Sequence, residues 1–419
     1  MNRLKRQHAC RALVVLAVCT LGALSCGDPV GPRSGSTLGR RLIAGERVAC
    51  ALNGVGSVYC WGLNSNFWEY AAPPEAIPGR GAPTQMPSVF LLTKFALGVG
   101  THFCGIDGDN RAICWARGDA GQLGGGAVAN SGNGAVAVAG EIRWADISVS
   151  RLTTCGLAQT GEGYCWGLNQ QGALGSAATE IGARVAVPTL VDGGRTFSSI
   201  AAGWLHGCGI TTDGDAWCWG SNTVGQLGIG AADTVVRRSP VPVAGGLKFT
   251  QLSLGSRYSC GLTTQGDAYC WGANATGQLG DGTTEARSAP TLVAGGLTYV
   301  QLVASSGFAT GAFAPPPAFQ GGYGHTCALT SARHPYCWGW NGNGEVGDGT
   351  MIDKHVPTAV ARNLTLETIA VGGAYSCGMY GDDVWCWGSN INGQIGKGDE
   401  LLPAREPQPV LPPFGPPAQ

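Results

Sequence analysis

"CGLTTQGDAYCWGANATGQLGDG" occupies residues 260–282, and near copies recur along the chain. Residues 208–230 read "CGITTDGDAWCWGSNTVGQLGIG", and the last version, from Cys377, reads "CGMYGDDVWCWGSNINGQIGKG". Each copy sets two cysteines nine or ten positions apart and follows the second with Trp-Gly. If Cys260 and Cys270 face each other across a hairpin, Gly261 faces Tyr269, Leu262 faces Ala268 and Thr263 faces Asp267. A three-residue loop remains, Thr264-Gln265-Gly266. Such loops favour a type I turn followed by a left-handed residue, where Gly is least strained. The third loop position holds Gly56, Asn110, Gly161, Gly214, Gly266 and Arg333 in the first six units. All but Arg333 tolerate positive φ readily. In the seventh unit the cysteines are one residue closer, and a facing pair needs the two-residue loop Gly381-Asp382. Gly at the first position of such a loop is the type II′ signature.

Directly opposed residues in a narrow antiparallel pair bring their β-carbons into disulfide range. Seven stapled hairpins are therefore expected: Cys50–Cys60, Cys104–Cys114, Cys155–Cys165, Cys208–Cys218, Cys260–Cys270, Cys327–Cys337 and Cys377–Cys386. Structural zinc wants short Cys-x₂₋₄-Cys knuckles gathered in fours, which these spacings do not supply. Alternation puts Cys270 and Ala268 on one face of the hairpin, and Tyr269 and Trp271 on the other. Both faces are apolar, so each hairpin is expected to be covered on both sides.

First cysteines fall at 50, 104, 155, 208, 260, 327 and 377, a period near fifty with one long step. Between the hairpins runs a second pattern: "PTLVAGGLTYVQL" from Pro290 matches "PVPVAGGLKFTQL" from Pro240. It reads as two short strands around a Gly-Gly turn, giving four strands per unit, with proline suited to an outer edge. The fold expected is all-β: a seven-bladed β-propeller of four-stranded blades over residues 42–411. Its last blade would take strands from both ends of the chain, because "RLIAGERVACAL" starts as half a unit and "REPQPVLPPF" ends as the other half. Closure of this kind removes the open edges of a linear array.

Of 419 residues, 70 are glycine, 17 are cysteine and only 13% are charged, with a formal net charge of −1. Phosphate backbones need clustered Lys and Arg, so no nucleic-acid partner is expected. Arg3, Lys5, Arg6 and Arg11 precede the apolar stretch "ALVVLAVCTLGALS" at 12–25, too short to span a bilayer comfortably. Residues 1–25 therefore read as a signal peptide. The exported chain meets an oxidising compartment. The sequence "ALSC" ahead of Gly27 resembles a bacterial lipobox, with Ala23 where leucine is usual, and makes Cys26 the lipidated residue. Simple cleavage after Ser25, leaving a free thiol at Cys26, is the alternative. Residues 26–41 would be the flexible tether, residues 412–419 a Pro-rich tail, and the outer membrane or cell surface the address.

"HTCALT" at 325–330 and "YCWGWNGNGEVGDGT" at 336–350 resemble the regulator of chromosome condensation repeat. The resemblance implies a seven-bladed propeller. Its founding nuclear member is a guanine-nucleotide exchange factor that docks on chromatin, whereas secreted bacterial relatives include a β-lactamase inhibitor that binds its enzyme across one mouth of the ring. Signal peptide, disulfides and near-zero charge speak against exchange activity and chromatin here.

No Gly-x-Ser-x-Gly element, metal motif or acid pair is present, and no catalytic residue, metal or cofactor is expected. His102, His206 and His325 occupy a slot that holds Val48, Thr153, Tyr258 and Tyr375 elsewhere, which marks it as a packing position. The Cys-Trp tryptophans, such as Trp219 and Trp271, read as contacts between blades. Function is placed where the period breaks. Phe308, Phe313 and Phe319 lie in the long step, and Phe67, Trp68 and Tyr70 in an irregular first unit. Aromatics on such loops are the type found at binding hot spots, so these six are the candidate binding residues. The reading is a monomeric scaffold for an unidentified protein partner. A carbohydrate-binding propeller is the alternative.

Overall fold

The computed structural model describes residues 42–52, 58–62, 81–85, 92–98, 102–131, 134–305, 324–398 and 400–412. Among them, seven four-stranded antiparallel sheets follow one another along the chain, each with its strands in sequence order. The blades run from Leu42 to Gln85, Leu92 to Ala137, Trp144 to Leu190, Phe197 to Pro242, Phe249 to Leu292, Tyr299 to Ala359 and Thr368 to Pro409. In the fifth blade the strands are Phe249–Leu254, Tyr258–Thr263, Ala268–Gly272 and Arg287–Leu292. The first strand of every blade lines a central channel of about 170 Å³.

The second and third strands of each blade are the hairpins expected from the cysteine spacing. Cys260 faces Cys270, Gly261 faces Tyr269 and Leu262 faces Ala268. All seven expected disulfides are present, with facing Cα atoms 4.1 Å apart. Their cysteines are fully buried. Asn110, Gly161, Gly214, Gly266 and Arg333 all take positive φ at the third loop position, and Gly381 has φ of 58° in the two-residue loop. Gly56 lies outside the described residues. Arg333 accepts the left-handed backbone at φ 67° while its guanidinium donates to the Glu367 carbonyl at 3.1 Å. Each bridge closes a loop of about eleven residues, worth about 2–3 kcal/mol in the chain-entropy account. Replacing Cys208 and Cys218 together with alanine should lower the free energy of urea unfolding by that amount; a loss below about 1 kcal/mol would rule out a stabilising role for this staple.

Outer strands carry the prolines. Pro188, Pro240, Pro290 and Pro357 all fall in the fourth, outermost strand of their blade. A residue without N–H costs least there and discourages pairing with another chain.

The junction between repeats differs from the sequence reading. The two strands flanking the Gly-Gly turn belong to different sheets: Arg237–Pro242 closes the fourth blade and Phe249–Leu254 opens the fifth. Gly245 and Gly246, with φ of 93° and 62°, turn the chain from the rim of one blade back to the channel. The blade is thus offset by one strand from the repeat seen in the sequence. As a result, no blade mixes strands from the two ends. The first blade and the seventh close the ring by packing, with Leu42, Ala49, Ala51 and Trp61 set against Ala370, Tyr375, Met379 and Val410. Gly373 N–H also donates to the Gly45 carbonyl at 3.1 Å.

Candidate functional site

Six of the seams between blades share one contact among the described residues; the seam between the first and second blades is packed by Val48, Phe95, Phe103 and Trp115. The indole N–H of the Cys-Trp tryptophan donates to a carbonyl in the preceding blade: Trp166 to Gln122, Trp219 to Ala173, Trp271 to Gln226, Trp338 to Gln278 and Trp387 to Glu345, all at 2.8–3.0 Å. Trp61 carries the contact across the closing seam, from the first blade to the Gln394 carbonyl of the seventh at 3.0 Å. The acceptor precedes a Leu-Gly or its equivalent, and that glycine lies flat against the indole. A Cβ on Gly280 would stand 2.6 Å from Nε1 of Trp338. The tryptophans are therefore inter-blade packing, as their repetition in the sequence implied.

The histidines join the same seams. His102, His206 and His325 are buried, and Nε2 of each lies 2.7–2.9 Å from a hydroxyl of the next blade: Thr154, Ser259 and Ser376. Burial pushes their pKa values down to about 3, 4 and 3 respectively. Neutral imidazoles enclosed in this way are structural. Among the described residues no group of three or more His, Cys, Asp or Glu is placed to hold a metal. Asp281 and Asp348 organise their loops, accepting from Thr283 and Arg287 and from Thr350 and Lys354.

The channel wall is stitched by side chains that satisfy the free edge of each neighbouring first strand. Gln251 accepts from Leu302 N–H and donates to its carbonyl, and Gln301 does the same to Ile369. These bonds occupy backbone groups that an inner edge strand would otherwise leave unpaired.

The two faces of the ring are unlike. One carries the hairpin turns, such as Thr263–Asp267, together with the Gly-Gly connectors. Tyr299 N–H, just past a connector, donates to Gly266 in the turn. We call this the hairpin face. The opposite, loop face carries the tight turns from first to second strand, such as Gly255–Tyr258, and the start of the loop after each third strand. Leu42 and Pro409, at the two ends of the described ring, both lie at the hairpin face, because innermost strands run away from it and outermost strands run towards it.

Phe308, Phe313, Phe319, Phe67, Trp68 and Tyr70 lie outside the described residues, as does Cys26. The flanks of their two segments are described. Ser305 and Gly324 bound 306–323 on the loop face, in a first-to-second turn, and the Ser305 hydroxyl donates to the Gly372 carbonyl of the seventh blade at 2.9 Å. Gly62 and Gly81 bound 63–80 in a loop that starts on the same face, and Gly81 accepts from Gly398 N–H of the seventh blade at 3.1 Å. Each segment thus has one flank in contact with blade seven, Ser305 at its first-to-second turn and Gly81 at the loop after its third strand. The sequence showed two irregular segments 240 residues apart; only the closed ring brings their flanks to one blade.

Two features of the structure escaped the sequence reading. Arg47, Arg151 and Arg257 stand on first-to-second turns around the channel mouth, and Glu345 takes the buried place that Gln122, Gln226, Gln278 and Gln394 fill elsewhere. Aligning "GEVG" with "GQLG" would have exposed the second.

A family model described as the regulator of chromosome condensation (RCC1) repeat matches residues 160–210, 213–262, 265–313 and 336–379, and a second model of that repeat matches 197–226 and 249–278. The chain belongs to the regulator of chromosome condensation repeat family. This family member is 31% identical over 202 residues to the ultraviolet-B receptor UVR8 of Arabidopsis thaliana, a match covering 48% of the chain and 42% of the receptor. It is 27% identical over 315 residues to the mitochondrial RCC1 domain-containing protein RUG3 of the same plant, covering 70% of the chain and 65% of that protein. A match to mouse E3 ubiquitin-protein ligase HERC2, at 24% identity, covers 80% of the chain but 7% of the ligase. The chain thus spans less than two thirds of the length of each of these relatives. Human WBSCR16 shares the fold at TM-score 0.70 and 18% identity, covering 85% of this chain and 94% of that one. Prp20p of Saccharomyces cerevisiae, described with its binding to Gsp1p and histones, also reaches TM-score 0.70 at 18% identity, covering 89% and 88%.

Proposed function

We propose that this repeat-family propeller is an exported, non-catalytic scaffold that binds another protein on its loop face. The observation that carries the reading is the division of labour between faces. Both ends of the ring lie at the hairpin face, and both period-breaking segments start from the loop face, beside blade seven. Seven buried disulfides call for an oxidising compartment. That agrees with residues 1–25 as a signal peptide, Cys26 as the lipid attachment point and an outer-membrane address, and it separates the chain from the nuclear exchange activity of its family. The described residues include no helix long and apolar enough to cross a membrane. Phe308, Phe313 and Phe319, with Phe67, Trp68 and Tyr70, remain the proposed contact residues, aromatic side chains being suited to hot spots.

The test is a pull-down from cell-envelope extract with two folded, fully oxidised baits, residues 27–419 intact and the same protein lacking 306–320. A partner captured by the first and lost with the second is the expected result. Identical capture by both baits would remove the segment from the site. If neither captures any protein, the protein-scaffold reading fails, and glycans are screened next.

A further inference from the structure

The channel mouth on the loop face is rimmed by arginine. Five of its seven first-to-second turns are described, and they carry three arginines and a single carboxylate, Glu46. The six described hairpin turns on the opposite face carry eight carboxylates and two arginines. The described mouth turns are thus net positive and the described hairpin turns net negative, in a chain whose formal net charge is −1.

The arginines come from three separate blades, on turns that ring the mouth. Arg47 Nε lies 3.8 Å from Glu46 Oε1, with its side chain 45% exposed. Burial pushes the Glu46 carboxyl up, and the guanidiniums of Arg47 and, from the third blade, Arg151 hold it back. Arg151 is exposed and sits 5.9 Å from the centre of the Trp204 ring on the next turn. Arg257, half-buried, donates to the Thr223 hydroxyl at 3.0 Å. One carboxylate among three guanidiniums leaves an excess of positive charge on these turns, and below the rim the channel is lined by Leu97, Val149, Leu254 and Val371 together with Ser148, Gln251, Ser253 and Gln301. Guanidinium groups in a partly desolvated setting favour planar carboxylates.

Building on the scaffold reading, we propose that this mouth receives an acidic segment of the partner protein, its carboxylates on Arg47, Arg151 and Arg257 and a small apolar side chain directed into the channel. A second copy of this chain, offering its acidic hairpin face, fits less well. There Asp107 and Asp109 are already paired with Arg111, and Asp215 with Lys248.

The probe is a fluorescent, end-blocked decapeptide of alternating Glu and Val, with Lys-Val as control, titrated against the oxidised full chain by anisotropy. The Glu-Val peptide should bind and the Lys-Val peptide should not, with affinity falling roughly tenfold between about 20 and about 200 mM salt. R47Q/R151Q, both exposed and safe for folding, should weaken binding roughly tenfold or more, and Arg111→Gln on the hairpin face should change nothing. Arg257→Gln, checked by its Tm, should give an intermediate loss. Failure of the Glu-Val peptide to bind, or equal binding by R47Q/R151Q, overturns the proposal. So does low-salt self-association that R47Q/R151Q abolishes, since the second copy is then the occupant. Envelope capture that depends on 306–320 while the peptide is ignored also overturns it but leaves the scaffold reading standing. Peptide binding without envelope capture supports the mouth as a site for acidic segments while the scaffold reading fails.

Discussion

Gly280→Ala is expected to destabilise the ring by about 3–5 kcal/mol, more than most single-atom additions to a protein core. Gly280 has φ of 69°, a left-handed conformation that costs an alanine about 1 kcal/mol or more. The added Cβ would also stand 2.6 Å from Trp338 Nε1 and 2.9 Å from its Cδ1. The indole is fully buried and donates to the Gln278 carbonyl, whose oxygen also accepts from Thr326 at 2.9 Å. It can retreat only by giving up that bond and its packing against Tyr299. Urea unfolding of the oxidised protein, followed by tryptophan fluorescence, measures the loss. Gly282→Ala is the control: its φ is 84°, but its Cβ would meet only Val356 at 3.8 Å. If the two variants lose equal stability, the backbone alone is responsible and the indole contact contributes nothing.

Glu345→Gln should stabilise the protein above pH 7 by up to about 3 kcal/mol and leave it almost unchanged near pH 5. The Glu345 carboxyl is fully buried, and its contacts are the backbone N–H and side-chain amide of Asn343, at 2.8 and 2.7 Å. Burial raises its pKa from 4.5 to about 7, with the nearby Asp353 carboxyl adding to the rise. Between those values the folded chain holds a proton that the unfolded chain has released. Raising the pH across this window therefore removes stability, and the loss is complete above the folded value. Glutamine, already in the equivalent place in four other blades, does not titrate. The buried histidines act in the opposite sense. They stay neutral in the fold and take up protons below about 6.5 when unfolded, so stability falls as pH drops through that value. The two effects overlap between about pH 4.5 and 6.5, where three histidines outweigh one carboxyl, so wild-type stability should rise with pH towards 7, and the curve of E345Q should climb progressively above it as Glu345 ionises. Guanidinium midpoints at several pH values decide it; a gain equal at pH 5 and pH 8 would mean that packing, not ionisation, separates the variants.

How far the sequence could be read depended on the range of the interaction. The hairpins were legible because cysteine spacing and turn chemistry act within a dozen residues, and the shortened seventh unit changed its loop and spacing together. The Gly-Gly element was misassigned to a single blade because a turn between paired strands and a turn between neighbouring sheets demand the same positive φ of Gly245 and Gly246. Only long-range pairing distinguishes them. Arg47, Arg151 and Arg257 were invisible as a group for the same reason: each is an ordinary residue on its own turn, and they become neighbours only around the channel. Glu345 differs from its counterparts by one atom type, and its consequence arises from burial, which no local pattern announces.

Each of the seven bridges lies within a single blade, whereas the bond from Trp61 to Gln394 spans 333 residues. Covalent chemistry thus secures the parts and leaves the whole to be assembled by weaker forces. A chain emerging amino end first can oxidise its hairpins one after another, but its first blade must wait, one flank bare, for the last. The ring is therefore finished only on release of the final fifty residues. A truncated product would keep most of its disulfides and still be an unfinished array, with apolar flanks open at both ends.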